Sequence, residues 1–417
     1  MNQNKHKLIP KISLWYFVSI FAVFSVPLLA KASVLYLLPP SQTIYQEDSF
    51  IVTAMIDTEG EGINTVEGYL GFPPDKLEVT DITRGGSILS LWVKEPSFSN
   101  QTGEINFIGG IPKGFYGQGQ LISVIFRVLP RIDPRLSASI NFKENSRVLL
   151  NDGKGTEARL NFSEGNYEVI ERPEGLPVIS SQTHPDQNKW YKGTTLSLYW
   201  DLVEGAEYSW ILSRDPLTGP DEIPDEPLPK EGVAFWMGAM EYDLKEEGDG
   251  IYYFHLREKR GIDAEQDAEL RGRWGPKITF RAMIDATPPE EFELQITEIE
   301  GKKYLVFLTK DETSGVEYYE VAEVRPIAKL REILSRETTL KWKRGKSPYL
   351  LEDQSLRSKI LVKAIDKTGN ERIAEYLPAK KPFPYWIIII VLIGIGIVIW
   401  LIAKLRQTVR KTTRKYE

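Results

Sequence analysis

The chain has 417 residues, 42% of them hydrophobic and 26% charged, which excludes a disordered, collagenous or multi-span membrane protein as the whole answer. At roughly 100–200 residues per domain, several folded units in a row are expected. The net charge of -6 divides into +4 over residues 1–32, +5 over 382–417 and -15 over 33–381. An acidic body lacks the basic footprint that nucleic acid requires, so no nucleic-acid partner is expected.

There is no cysteine, which removes disulfides, thiolate metal sites and Cys nucleophiles together. Three histidines are present; His6 lies in the N-terminal leader, leaving His184 and His255 for imidazole chemistry.

Residues 1–32 read as a secretory signal peptide: basic Lys5-His6-Lys7, an apolar run from Ile12 onward to Leu29, then Ala30-Lys31-Ala32 with small residues at the first and third positions. Cleavage is expected after Ala32, the alternative being an uncleaved signal anchor.

Between residues 33 and 170 short alternating runs are broken by Gly, Pro and Asn/Asp turns. Phe50, Val52, Ala54 and Ile56 fall on one strand face, as do Ile122, Val124, Phe126 and Val128, with Ser123 and Arg127 opposite. Turns such as Asn151-Asp152-Gly153 complete the pattern of an antiparallel sandwich. Residues 171–190 read as a linker around Glu171-Arg172-Pro173-Glu174-Gly175-Leu176-Pro177. In 191–286, Leu196, Leu198 and Trp200 form one buried strand face, and the strands around Tyr252 and Phe280 complete a second sandwich. Asp285-Ala286-Thr287-Pro288-Pro289 forms a stiff hinge. A third sandwich over 287–380 is indicated by the offset repeat of Gly205-Ala206-Glu207-Tyr208 as Gly315-Val316-Glu317-Tyr318. Its closing strand ends in Asp366-Lys367-Thr368-Gly369-Asn370.

Within the expected transmembrane segment 383–403, the uncharged run from Tyr385 to Ala403 spans about 28 Å as a helix, close to the hydrocarbon thickness of a bilayer. Tyr385, Trp386 and Trp400 suit the interfaces. The basic tail 404–417 gives a cytoplasmic C-terminus and an external N-terminal region, so the expected location is the cell membrane, crossed once. Leu377-Pro378-Ala379-Lys380-Lys381 departs from a sortase signal, which argues for anchoring by the helix itself.

The first sandwich resembles a cohesin domain, the jelly roll shared with several carbohydrate-binding modules. The resemblance rests on Ser33-Val34-Leu35-Tyr36-Leu37, on Tyr45-Gln46-Glu47-Asp48-Ser49-Phe50-Ile51-Val52, and on the run from Asn64 through Gly71-Phe72-Pro73-Pro74-Asp75-Lys76-Leu77 to Val79. It covers about a third of the chain. Pro73 stands where the family has Asp in its Phe-Asp-Pro turn, and no dockerin-contact residue carries over. The second and third sandwiches resemble fibronectin type III and bacterial immunoglobulin-like domains. The expected fold class is therefore all-β: a cohesin-like jelly roll, two immunoglobulin or fibronectin III-like sandwiches, and one transmembrane helix. The resemblance implies a non-catalytic surface protein with an immunoglobulin-like stalk holding the cohesin-like module away from the bilayer. A dockerin-like protein or a polysaccharide would be its partner, with a link to polysaccharide breakdown; a carbohydrate-binding adhesin and a purely structural envelope protein are the alternatives.

Local signatures of metalloproteases, nucleotide enzymes and serine esterases are absent, and no catalytic residue is assigned. Carboxylates in Asp221-Glu222-Ile223-Pro224-Asp225-Glu226 and Glu246-Glu247-Gly248-Asp249 are accounted for by turns. Trp92, Phe115 and Tyr116 are the candidate ligand-binding rings, since the apolar face of a sugar stacks on an aromatic. No metal ligand is assigned; calcium is the cofactor that exposed acids outside a cell suit, with Asp57-Thr58-Glu59-Gly60-Glu61 and Asp311-Glu312-Thr313-Ser314 as contributors and ordinary turns as the competing explanation.

Overall fold

A computed structural model describes residues 32–130, 135–227, 237–260, 272–324, 340–378 and 385–413. Apart from Ala32 the expected signal peptide lies outside the described residues, as do the prolines at 382 and 384 and the last four residues. Except for one C-terminal helix, the regular structure described is strand.

The first sandwich is built from β1 (Ser33–Leu38), β2 (Ser41–Tyr45), β3 (Ser49–Asp57), β4 (Ile63–Gly71), β5 (Leu77–Thr83), β6 (Leu91–Ser99), β7 (Glu104–Phe115), β8 (Gln118–Val128), β9 (Arg135–Phe142), β10 (Arg147–Leu150), β11 (Leu160–Phe162) and β12 (Gly165–Ile170). One sheet runs β11-β1-β3-β8-β5; the other runs β2-β12-β9-β4-β7-β6, with β10 added to β4. The period-2 pattern works as expected: Phe50, Val52, Ala54 and Ile56 on β3 and Ile122, Val124, Phe126 and Val128 on β8 are all buried in one core with Phe107 and Tyr167. The Asn151-Asp152-Gly153 turn is present, and Gly153 adopts φ 69°, the left-handed region that glycine enters without strain.

The second sandwich sets β13 (Ser180–Ser181), β15 (Thr195–Asp201) and β17 (Met237–Asp243) against β14 (Trp190–Tyr191), β19 (Ile278–Ile284), β18 (Gly250–Lys259) and β16 (Glu207–Ser213). Leu196, Leu198 and Trp200 are buried together with Phe254 and Phe280. The stretch expected as a linker is therefore structured in its second half. Ser180 and Ser181 pair with Tyr199 and Leu198, and Leu176 joins the second core.

The third sandwich sets β20 (Gln295–Ile299), β21 (Lys302–Val306) and β24 (Tyr349–Leu350) against β23 (Lys343–Gly345), β22 (Val316–Val324), β25 (Lys359–Asp366) and β26 (Glu371–Tyr376), around Leu305, Phe307, Val321, Ile360 and Val362. The offset repeat falls on equivalent strands: β16 pairs with β18 as β22 pairs with β25.

The three sandwiches do not form a straight stalk. The outward face of the first sheet carries Ile51 and Ile125, which pack with Trp190 and Met283 of the second unit. Arg281, itself buried, donates to Ser49 O (3.2 Å) and Ser49 Oγ (3.0 Å) of the first unit and to Gln187 O and Asn188 Oδ1 of its own. The first unit also touches the third. Thr83 Oγ1 donates to Ser314 O at 2.6 Å, Arg84 reaches Val316 O, and Lys367 pairs with Asp81. Gly85 lies so close that a Cβ there would stand 1.8 Å from Thr313 O. Contacts that repeat on both neighbours hold the first sandwich against the body, rather than at its tip.

Beyond the third unit, α1 (Tyr385–Thr413) contains the run Tyr385–Lys404 with mean hydropathy 3.1, long and apolar enough to cross a membrane. Its apolar side chains are exposed all round.

Candidate functional site

The three candidate rings lie at one end of the seven-stranded sheet, on two different footings. Trp92, near the start of β6, pairs with Gly109 of β7 and is half-buried. Its ring meets Phe107 edge-on at 6.2 Å, with the Arg84 guanidinium 5.9 Å from its centre. Phe115, at the end of β7, packs against the core of the first unit. Tyr116 is different: it is 65% exposed in the turn between β7 and β8, between Gly114 and Gly117, both at positive φ. Its ring lies across Gly62, whose missing side chain makes the room. Only Tyr116 therefore offers a face to a ligand without disturbing the core.

β6 is the last strand of its sheet. It presents Leu91 (49% exposed) and Val93 (73% exposed) to solvent on either side of Trp92. Between this edge and the third unit lies a cleft of about 420 Å³ lined by Arg84, Trp92, Val93, Glu95, Phe307 and Tyr319, among others. Its rim is charged: Glu95 faces Lys346 at 3.4 Å and Arg84 at 4.0 Å. Sequence reasoning singled out Trp92 but not this edge. The signal available was the uninterrupted apolar run Leu91-Trp92-Val93, where a half-buried strand would alternate.

A second, more polar cleft of about 620 Å³ separates the first and second units beside Arg281 and Asp48. Burial raises the Asp48 carboxyl above its usual range, against the lowering pull of Arg172.

Of the acids considered for calcium, Asp57 forms a local turn, accepting from Glu59 N (2.9 Å) and Gln118 Nε2 (2.8 Å). Asp311 is placed otherwise. It is buried with Asp285, which follows β19, and Asp366, which ends β25; one carboxylate oxygen from each lies within 4.8 Å of the others. Asp311 Oδ1 accepts from Thr313 N (3.1 Å) and Gly315 N (2.8 Å), Asp285 Oδ2 from Ser314 N (3.1 Å), and Asp366 Oδ1 from Thr368 N (2.9 Å) and Asn370 N (2.8 Å). Burial, reinforced by the neighbouring Asp311 and Asp366, pushes Asp285 up to about 7.

Three of the carboxylates in the two acidic stretches accounted for by turns accept backbone hydrogen bonds. Asp221 Oδ1 caps Ile223 N at 3.0 Å, Asp225 Oδ2 accepts from Trp210 N at 2.9 Å, and Asp249 accepts from Ala286 N and Thr287 N. Both histidines are buried. The His184 ring meets Thr183 Oγ1 (2.9 Å) and Gly193 O (3.1 Å), so it belongs to the second sandwich and not to a linker. The His255 ring meets Thr279 Oγ1 (2.8 Å) and Asp215 O (3.3 Å), and burial drives its pKa down to about 4.

No protein family matches the chain by sequence, and no curated protein does. Among solved structures, a cohesin module of a Clostridium perfringens glycoside hydrolase is 10% identical, with a TM-score of 0.28 over 34% of this chain and 98% of that one. The third cohesin of Acetivibrio cellulolyticus ScaC, solved with the ScaB dockerin, is 12% identical with a TM-score of 0.27 over 34% and 99%. A type III cohesin module from the cell-surface anchoring scaffoldin ScaE of Ruminococcus flavefaciens is 12% identical, with a TM-score of 0.27 over 34% and 89%.

Proposed function

We propose that this chain is a non-catalytic recognition protein of the cell surface, held by α1, in which the cohesin-like first sandwich binds a protein partner of dockerin type. The second and third sandwiches, read as fibronectin III and immunoglobulin-like, brace it from two sides. The observation that carries the reading is the exposed apolar edge Leu91 and Val93 on β6, beside a cleft with a charged rim. A fixed apolar edge on a rigid sheet suits a polypeptide surface, because its burial contributes without ordering a loop.

Polysaccharide binding is the second reading, favoured by one observation, the exposed Tyr116 ring at the same end. The test uses the whole chain in detergent micelles against a panel of soluble polysaccharides and against purified dockerins. Dockerin binding lost in Val93→Asp and kept in Tyr116→Ala supports the protein reading. Retention on a glycan, lost in Tyr116→Ala and kept in Val93→Asp, replaces it with the carbohydrate reading. Binding to neither leaves a structural envelope protein.

A further inference from the structure

We propose that Asp285, Asp311 and Asp366 bind one calcium ion that locks together the junction of the three sandwiches. The acids come from three separate segments: the exit of the second unit, the loop between β21 and β22, and the end of β25. Two oxygens on one calcium at about 2.4 Å each stand no more than about 4.8 Å apart. The three carboxylate oxygens lie within 4.8 Å of one another, which meets that condition.

Three buried carboxylates at such separations need positive charge. Among the described residues, none of the three forms an ion pair with a lysine or arginine; Lys367, next to Asp366 in the chain, pairs with Asp81, and Lys192 donates to Gly369 O. An independent feature points to an occupant. The hydroxyl of Ser314, a residue with no exposed surface, lies close enough to the Asp285 carboxyl to lower its pKa, yet no partner meets it with the distance and angle of a hydrogen bond. A buried hydroxyl oxygen without a well-aligned partner beside one of these carboxylates is a fourth ligand in waiting, because an unsatisfied buried polar atom is costly unless something uses it. The donor set is oxygen alone, which selects a hard cation over zinc or copper. Calcium fits it better than magnesium, since these ligands are held by backbone turns and calcium tolerates irregular geometry.

The position gives the ion a structural role. Ser314 O accepts from Thr83 of the first unit, Ser314 N donates to Asp285 of the second, and Ser314 itself belongs to the third. A cation here draws all three to one point.

The test is calorimetric unfolding and calcium titration of the full chain in detergent, after stripping with chelator. Calcium at millimolar concentration is expected to raise the unfolding temperature and to slow protease cleavage near residues 286–289, with magnesium at least tenfold less effective. Asp311→Asn should weaken calcium binding at least tenfold, yet unfold no lower than the parent in chelator, because one of three mutually repelling charges is gone. Asp366→Asn, whose Oδ1 can still accept from Thr368 and Asn370, provides a second variant should the first fail to fold. The proposal is overturned if the parent shows no calcium response, if magnesium is equally effective, or if both variants keep the parent's calcium affinity.

Discussion

Asn370 Nδ2 donates to Asp285 O at 3.0 Å, so a side chain from the last hairpin of the third sandwich holds the point where the second ends. The same amide lies 3.2 Å from Thr287 O and 2.8 Å from Asp366 Oδ2. Pro288 and Pro289 stiffen the connection by their rings, but these bonds set its direction.

Replacing Asn370 with alanine leaves the Asp285 and Thr287 carbonyls without that donor in a largely buried setting. The expected cost is about 2–3 kcal/mol, the penalty for stranded buried acceptors. Urea unfolding of the full chain in detergent measures it, and faster protease cleavage beside Pro288 should accompany the loss. An unchanged midpoint would mean that the junction is held by the remaining bonds, from Arg372 to Pro289 O and from Ala286 N to Asp249 Oδ1.

Arg281 does the equivalent work between the first and second units. Arg281→Met keeps the aliphatic stem and removes the donors to Ser49 O, Ser49 Oγ, Gln187 O and Asn188 Oδ1. Stability should fall by about 3 kcal/mol, the cost of stranding several buried acceptors at once. Calorimetry should show the joint transition of the two units separating into two steps; a single step at the parent's temperature would contradict this.

The strand faces of the first core were legible in the sequence because one-sided burial imposes a period of two, and Phe50, Val52, Ala54 and Ile56 obey it. What the pattern could not show was that the opposite face of the same sheet is also covered. Ile51 and Ile125 alternate with that core face, on the side of Ser123 and Arg127, and the docking of Trp190 and Met283 explains them. The carboxylate cluster was partly legible. The segments holding Asp285, Asp311 and Asp366 each drew notice, as a hinge, a calcium candidate and a hairpin turn. Their convergence depends on contacts between distant strands, to which local spacing is blind. Trp92 and Phe115 were chosen for ring chemistry, but a ring in a strand next to glycines packs inward as readily as outward.

Tyr116 and Trp92 should separate in their effect on stability. Tyr116→Ala removes a mostly exposed ring and should change unfolding free energy by no more than about 0.5 kcal/mol. Trp92→Ala removes a ring packed on Phe107 and should cost about 3 kcal/mol. Denaturant midpoints of the two variants check this, and equal losses would show that Tyr116 is part of the core.

His255 should govern the acid limb of stability. Its folded pKa of about 4 lies below the ordinary 6.5, because burial and the nearby Lys277 disfavour the imidazolium. Below pH 6.5 the unfolded chain takes up a proton that the folded chain refuses. Stability present above that pH is therefore lost as pH falls toward 4, by about 3 kcal/mol in all. His255→Gln should flatten this limb in a series of unfolding midpoints; an unaltered slope would assign it to other groups.

Asp285 carries the opposite sign, and calcium should reverse it. Its folded pKa of about 7 lies above the ordinary 3.8, so between those values the folded chain keeps a proton that the unfolded chain has released. Without metal, this group makes stability fall as pH rises across that window and leaves it reduced above pH 7. The groups facing it are Asp311 and Asp366, whose negative charges raise its pKa, and the Ser314 hydroxyl and Thr287 amide, which lower it. Calcium binds the deprotonated carboxylate, so proton and metal compete for the site. The calcium-induced rise in unfolding temperature should therefore be small near about pH 5.5 and large near about pH 8, with proton release on binding in between. Asp285→Asn should reduce the metal-free decline to the share of Asp311, whose carboxyl burial also raises, and should abolish the calcium-dependent rise. A calcium effect independent of pH would place the ion on other ligands, and a metal-free decline left unchanged by the substitution would place the proton elsewhere.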